Sequence, residues 1–355
     1  AANPSGNALL SELLASGTVH GKELVAPLAW IGDAIAIKDP TAAIFRRQGG
    51  ANLLIVGQRE DLGTSLLAMS MVSLGVGHDP YPGGAVGKPA RFVLLEPAIA
   101  EEKPEILLSK LSEFLPHEID VAGRLGVADA MADLAAEVQR RIDEQVLDGE
   151  AIFLIIRDLG RFRELRKEDG GFGFSIGDEK KSSPADHFAT ILRDGPPVGI
   201  HAIIWCDSLT NLMRTFDRSL IKEFELRTVF QMSGTDSSQL IDSPLASKLG
   251  PQRAMFIHEE TGTLEKFRPY AFPSNDWLAT VSKQLKSRAP GTREERPSSK
   301  QQNSPPAPSS DSDGQSDSDA DSPGLSGGGF GDFNFTKMLD DLPGDTTPND
   351  EEESS

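Results

Sequence analysis

A single cysteine, Cys206, stands in 355 residues, which excludes an internal disulfide and fits a reducing, cytoplasmic setting. No stretch approaches the ~18 apolar residues of a membrane-crossing helix. The six histidines (20, 78, 117, 187, 201 and 258) show no metal-ligand spacing. Aromatic residues make up 6 % of the chain against 24 prolines, so part of the chain is not expected to pack. Basic residues are also outnumbered, 35 Lys and Arg against 54 Asp and Glu. Residues 291–355 hold 15 acidic and 4 basic residues, a net −11 of the chain's −19, leaving −8 on residues 1–290. That body is no footprint for sequence-independent DNA binding.

What is present divides the chain in three. Residues 1–19 open on AANPSG and read as linker. With no initiator Met, the expectation is a chain cut from the C-terminal end of something longer. From 286 onward, Ser, Pro, Asp and Gly dominate. Such composition buries too little apolar surface to offset chain entropy, which predicts a disordered acidic tail over 286–355. Within it, GDFNFTKMLDDLP (331–343) is either a segment that folds onto a partner or a chance apolar island.

Between them, residues 20–285 read as one α/β domain. Runs apolar on both faces recur at 52–57, 91–96, 151–157, 200–206 and 227–232, the pattern of buried parallel strands. Helical segments fall between them at 65–75, 104–115, 126–147, 184–194 and 215–224. This alternation predicts a mostly parallel central sheet flanked by helices. Two short strands around Glu260-Thr261-Gly262 are expected to close the sheet edge as a hairpin, with residues 8–48 a strap over the sheet. The glycine-rich GGFGFSIGD (170–178) reads as a surface loop. Cys206 and His201 read as packed core residues.

The sharpest local signal is IVGQREDLGTS at 55–65. A strand, a glycine-bearing turn and a helix ending in hydroxyls form the frame of a phosphate loop, which asks for Gly, four residues, then Gly-Lys-Ser/Thr. Counted from Gly57, four residues (Gln58, Arg59, Glu60, Asp61) precede Leu62 in the glycine position, Gly63 in the lysine position and Thr64 in the hydroxyl position, with Ser65 next. The segment is either an ordinary strand–turn–helix junction or a weakened nucleotide site. Glu60 and Asp61 add negative charge beside any triphosphate, at a cost on the order of several kcal/mol at an effective dielectric near 20.

Taken colinearly, several segments resemble the FtsK/SpoIIIE-type translocase ATPases, which include type VII secretion ATPases. Asn52 to Gly57 is similar to the strand entering that family's Walker A loop. Arg91 to Pro97 resembles the next strand, and Phe114-Leu115-Pro116-His117 with the helix at 126–147 resembles the segment before Walker B. Gly195 to Cys206 is similar to the fourth strand, and Leu226 to Asp242 (LRTVFQMSGTDSSQLID) to the block that follows the sensor. The resemblance covers most of residues 28–270. It implies a RecA-like P-loop domain, ATP and Mg as cofactors, and ring assembly beside preceding ATPase modules of the same polypeptide. It also implies DNA or a secreted protein as the translocated substrate.

Within that resemblance, Gly57 to Ser65 are the nucleotide-binding positions, and Thr64 is the candidate magnesium ligand. Asp158 is the candidate catalytic carboxylate, because the ungapped Walker B positions hold Arg157 and Asp158 where the family has Asp-Glu. Asp207 takes the sensor place. Arg161, Arg163 and Arg166 are candidates for contact with a neighbouring subunit or, alternatively, a solvated face, and Arg227 for an intersubunit role or, alternatively, an ion pair with the acidic side of the domain. The reading that follows is a degenerate module supporting active ones. A working ATPase using Thr64, Asp158 and a partner's arginine, or a scaffold acting through its tail, are the alternatives.

Overall fold

The computed structural model describes residues 1–81, 88–97, 107–167 and 182–288. Helix α1 (Ala8–Ser16) is capped by the Asn7 side chain, which accepts from the Leu10 amide, and ends at Gly17 in the left-handed region. Its Leu10 and Leu13 are buried, and Ala2 makes an isolated bridge to Tyr270. Residues 1–19 are therefore part of the folded body, a correction to the linker expectation. Their apolar residues are few, but those few find a surface to cover.

Strands β1 (Leu28–Ala34) and β2 (Thr41–Ile44) precede β3 (Leu53–Val56), and α2 (Glu60–Val76) follows it. Next come β4 (Ala90–Leu95), β5 (Glu118–Ala122), α3 (Val127–Asp143) and β6 (Ala151–Ile156). Helix α4 (Pro184–Asp194) starts with a complete capping box between Ser183 and Asp186 and leads to β7 (Ile200–Cys206). Two short helices, α5 (Leu209–Thr215) and α6 (Arg218–Ile221), lead to β8 (Leu226–Val229) and α7 (Gly234–Ile241). A hairpin of β9 (Ala254–His258) and β10 (Thr263–Pro269) then runs into α8 (Asn275–Lys286).

Among the described residues these strands form one sheet in the order β2-β1-β10-β9-β8-β3-β7-β6-β4-β5. The six strands from β8 to β5 pair in parallel, as expected. The β9–β10 hairpin does not close the edge. It lies inside the sheet, because β1 pairs antiparallel with β10, and β2 takes the edge. The expected strap is thus partly sheet.

Alternate residues of the parallel strands face opposite cores. Leu53, Ile55, Phe153 and Ile203 pack with α1, α2 and α8, whereas Leu54, Val56, Leu154 and Ile204 pack with α3, α4, α5 and α7. On the first face, cross-strand register sets Phe92, Phe153 and His201 side by side. Phe153 stacks on both neighbours at 5.7 and 5.8 Å between ring centroids. His201 Nδ1 lies 2.8 Å from the Ala51 carbonyl, consistent with a satisfied core histidine.

The body also reaches past the expected boundary at 285. Arg288 donates to the carbonyls of Leu13, Leu14 and Val76, so it ties together the ends of α1 and α2. The tail segment 331–343 and the glycine-rich stretch 170–178 lie outside the described residues. No helix among the described residues is long and apolar enough to cross a membrane.

Candidate functional site

In a parallel sheet the ligand crevice forms at the carboxyl ends of the strands. Here β3, β7 and β8 end beside a cleft of about 220 Å³ whose walls include Gly57, Gln58, Asp207, Gln231, Ser233 and Asp236. Its charged lining residues are two carboxylates, Asp207 and Asp236, with no Lys or Arg.

Gly57 turns the chain out of β3 with φ +142°, and a Cβ there would lie 2.8 Å from the Phe230 Cβ. Only glycine fits such a position. Its N–H donates to the Cys206 carbonyl and its own carbonyl accepts from Trp205 Nε1 at 3.1 Å. Gln58 and Arg59 follow, and α2 begins at Glu60. In the phosphate-loop frame, residues 60–63 would stay open so that their amides reach a ligand. In this chain they are the first turn of a helix, with the Gly63 amide already donating to the Arg59 carbonyl.

The remaining positive end of α2 meets an anion from the chain itself. The Asp61 carboxylate takes a two-pronged contact from Arg59 at 2.9 and 2.7 Å. The Arg59 hydrogen bond foremost holds the Asp61 carboxyl below its usual range. Leu62 is buried, and the Thr64 hydroxyl oxygen is buried with no hydrogen-bond partner among the described residues. Thr64 is not among the residues that line the cleft. Ser65 Oγ donates to the Asp61 carbonyl at 2.6 Å.

Arg157 ends β6 fully buried. Its guanidinium donates to Glu96 at 3.1 Å and to Glu60 at 3.3 Å, and Glu96 also accepts the amides of Leu108 and Ser109. One buried cation thus joins the start of α2 to the ends of β4 and β6. Asp158, in the left-handed region at φ 59°, pairs with Arg161 Nε at 2.8 Å. Burial raises its pKa, with Asp207 and Glu60 adding to the rise. Asp207 accepts both its contacts from Asn211 at 2.8 and 2.9 Å and a third from Ser208.

The four arginines are not brought together on one face. Arg161 and Arg163 are exposed and Arg166 is half-buried, donating to the Gly160 carbonyl. Arg227 is buried and donates to the Leu240 and Ile221 carbonyls and to Glu259, an ion pair within the domain. The Arg157–Glu60–Glu96 unit is not among the sequence expectations. The signal available was a charged residue closing an apolar strand.

A magnesium triphosphate requires an open amide cradle, a lysine and a carboxylate turned to the metal. At this end of the sheet those places are held by a helical turn, by Gly63 against the Trp205 ring, and by Arg157. The described residues do not fit that ligand.

The architecture nevertheless has counterparts of the same fold among solved structures. The cytoplasmic domain of the type VII secretion ATPase EccC from Thermomonospora curvata superposes with a TM-score of 0.53 at 17 % identity, over 73 % of this chain and 31 % of that one. The chain has the FtsK/SpoIIIE-type ATPase fold. The pCW3 conjugation coupling protein TcpA, solved as a monomer with ATPγS, superposes with a TM-score of 0.51 at 13 % identity, over 75 % of this chain and 72 % of that one. The chain spans about a third of the length of the EccC chain it matches. No protein-family model and no curated protein sequence matches it.

Restoring the consensus loop is expected to fail on packing grounds. A Cβ at Gly63 would lie 2.6 Å from the Trp205 indole. Leu62→Gly with Gly63→Lys should therefore lower stability by about 1–3 kcal/mol through overpacking and add no ATP turnover. Thermal denaturation and phosphate release on the same sample check both halves.

Proposed function

We propose that this chain is a module of an FtsK/SpoIIIE-type motor that supports ATP-hydrolysing modules through its fold and contacts, without turning over nucleotide itself. The observation that carries the reading is the Glu60–Arg157–Glu96 network beside a helix already begun at Glu60. Phosphoryl transfer rests on preorganised charge around the nucleotide, and here the chain's own side chains neutralise one another at those positions.

The partners consistent with this reading are preceding ATPase modules of the same polypeptide, arranged with it in a ring. The moved substrate is DNA or a secreted protein. Arg161 and Arg163 are the exposed basic residues that such a ring would place against a neighbour. The reading of a working site built on Thr64 and Asp158 is disfavoured by the buried Thr64 hydroxyl and by the Asp158–Arg161 pair.

The test is phosphate release from ATP and magnesium by the purified chain. The expected rate equals that of buffer. A rate near ~1 per second, the lower end for ordinary enzymes, abolished by Asp158→Asn, overturns the proposal.

A further inference from the structure

The amino end of β8 lies at the opposite end of the strand from the cleft, and a different set of side chains converges there. Glu225 precedes β8, His258 closes β9, and Glu260 sits in the hairpin turn. Pairing of β8 with β9 puts Leu226 opposite His258, and the Glu259 amide donates to the Glu225 carbonyl at 2.9 Å. One oxygen from each carboxylate and one imidazole nitrogen all lie within 4.8 Å of one another. His258 Nε2 is 3.5 Å from Glu260 Oε2.

We propose that Glu225, His258 and Glu260 form a divalent transition-metal site, with zinc as the fitting ion. Nitrogen and oxygen ligands on a tetrahedral zinc, with bonds of about 2.0–2.1 Å, stand about 3.3 Å apart, close to the His258–Glu260 spacing. One imidazole with two carboxylates suits a borderline ion better than calcium or magnesium, which take oxygen ligands alone.

Two further observations support the site. The Gln48 side-chain amide donates to Glu260 at 2.9 Å and to Glu225 at 3.3 Å, so a partial positive charge already stands between the carboxylates. Turned over by 180°, the same amide presents its carbonyl oxygen as a fourth ligand. Gly50, at φ +79°, leaves open the space that the Glu225 side chain crosses, since a Cβ there would lie 2.7 Å from Glu225 Cγ. Arg46 pairs with Glu260 at 3.4 Å from a half-exposed position, and it can swing into water when a cation enters. The bound ion would tie the β2–β3 connection, the start of β8 and the β9–β10 turn together, and so stabilise the folded chain.

The test is titration of the whole chain with zinc, and separately with cobalt, followed by thermal denaturation and the cobalt visible spectrum. The expected result is one saturable site, a melting temperature that rises with zinc, and a tetrahedral cobalt band. Glu260→Gln and His258→Gln should each weaken zinc binding at least ~10-fold, the scale of a lost metal-site interaction. The Glu260 substitution lies in an exposed turn, so its fold is checked by an unchanged metal-free melting temperature. Zinc affinity and cobalt spectrum unchanged in both variants, or no saturable binding, would overturn the site. Zinc held only by the acidic residues elsewhere in the chain gives that same unchanged result.

Discussion

Lowering the pH from 7 to 4 should remove on the order of 6 kcal/mol of folding stability, enough to unfold a typical domain held by ~5–15 kcal/mol. His201 and His117 are buried, and burial lowers each from the usual 6.5 to about 4. The opposing hydrogen bonds to the Ala51 and His78 carbonyls are the smaller effect. In the unfolded chain both rings take up a proton near pH 6.5, whereas in the folded chain they resist until about pH 4. Stability is therefore fully present above pH 6.5 and lost as pH falls from 6.5 to 4. Each ring contributes up to about 3 kcal/mol. His78, also buried and lowered by desolvation, acts in the same direction. Further acidification removes the ion pairs of Glu137, whose carboxyl Arg140 and Arg141 hold at about 2.

Urea midpoints from pH 7.5 to pH 4.5 measure this loss. Replacing His201 by Phe, which keeps a ring against Phe153, should reduce the slope by about half. A midpoint constant from pH 7 to pH 5 would show that the histidines are not held neutral in the fold.

Arg157→Leu should destabilise the chain by about 3–5 kcal/mol, the cost of breaking a buried pair from one side. Glu96 is 7 % exposed and would keep a negative charge with only the Leu108 and Ser109 amides to receive it. Adding Glu96→Gln to Arg157→Leu should recover most of the loss, since the buried charge is then gone. Denaturant unfolding of the two variants separates a charge effect from simple volume loss. Equal stability of single and double variants would contradict the network as described.

The parallel strands were legible because β3, β4, β6 and β7 are largely apolar runs buried on both faces, and β8 continues into the apolar Val229-Phe230. Strand β5 was missed. It lies at the sheet edge, and its EIDVA carries two carboxylates and no buried residue, so it lacks the apolar run that marks the central strands. Strand β1 carries Gly32 and Asp33, residues that read as loop, yet Gly32 is required because a Cβ there would lie 2.3 Å from the Arg268 carbonyl oxygen. The long helix expected over 126–147 ends at Asp143. Val146, although apolar and in phase, follows a Gln145 in the left-handed region, and phase alone does not register that stop.

At the site, the frame was legible but its contents were not. The sequence spacing placed Thr64 as a ligand, whereas Thr64 lies buried on α2 and does not line the cleft. Arg227 read either as an intersubunit residue or as one half of an ion pair within the domain, and in the structure it pairs with Glu259. Its buried partners are carbonyls at the ends of two short helices, Ile221 and Leu240, which no charge pattern announces. The acidic tail and the 331–343 segment remain expectations of composition.

The central claim is that the chain's own side chains have filled the place of a nucleotide. Calorimetric titration of the purified chain with ATP and magnesium tests it most directly. The account predicts no saturable heat up to ~1 mM, weaker than about 4 kcal/mol of binding free energy. A dissociation constant of ~10 μM or tighter, lost on Asp158→Asn or Asp207→Asn, would contradict it.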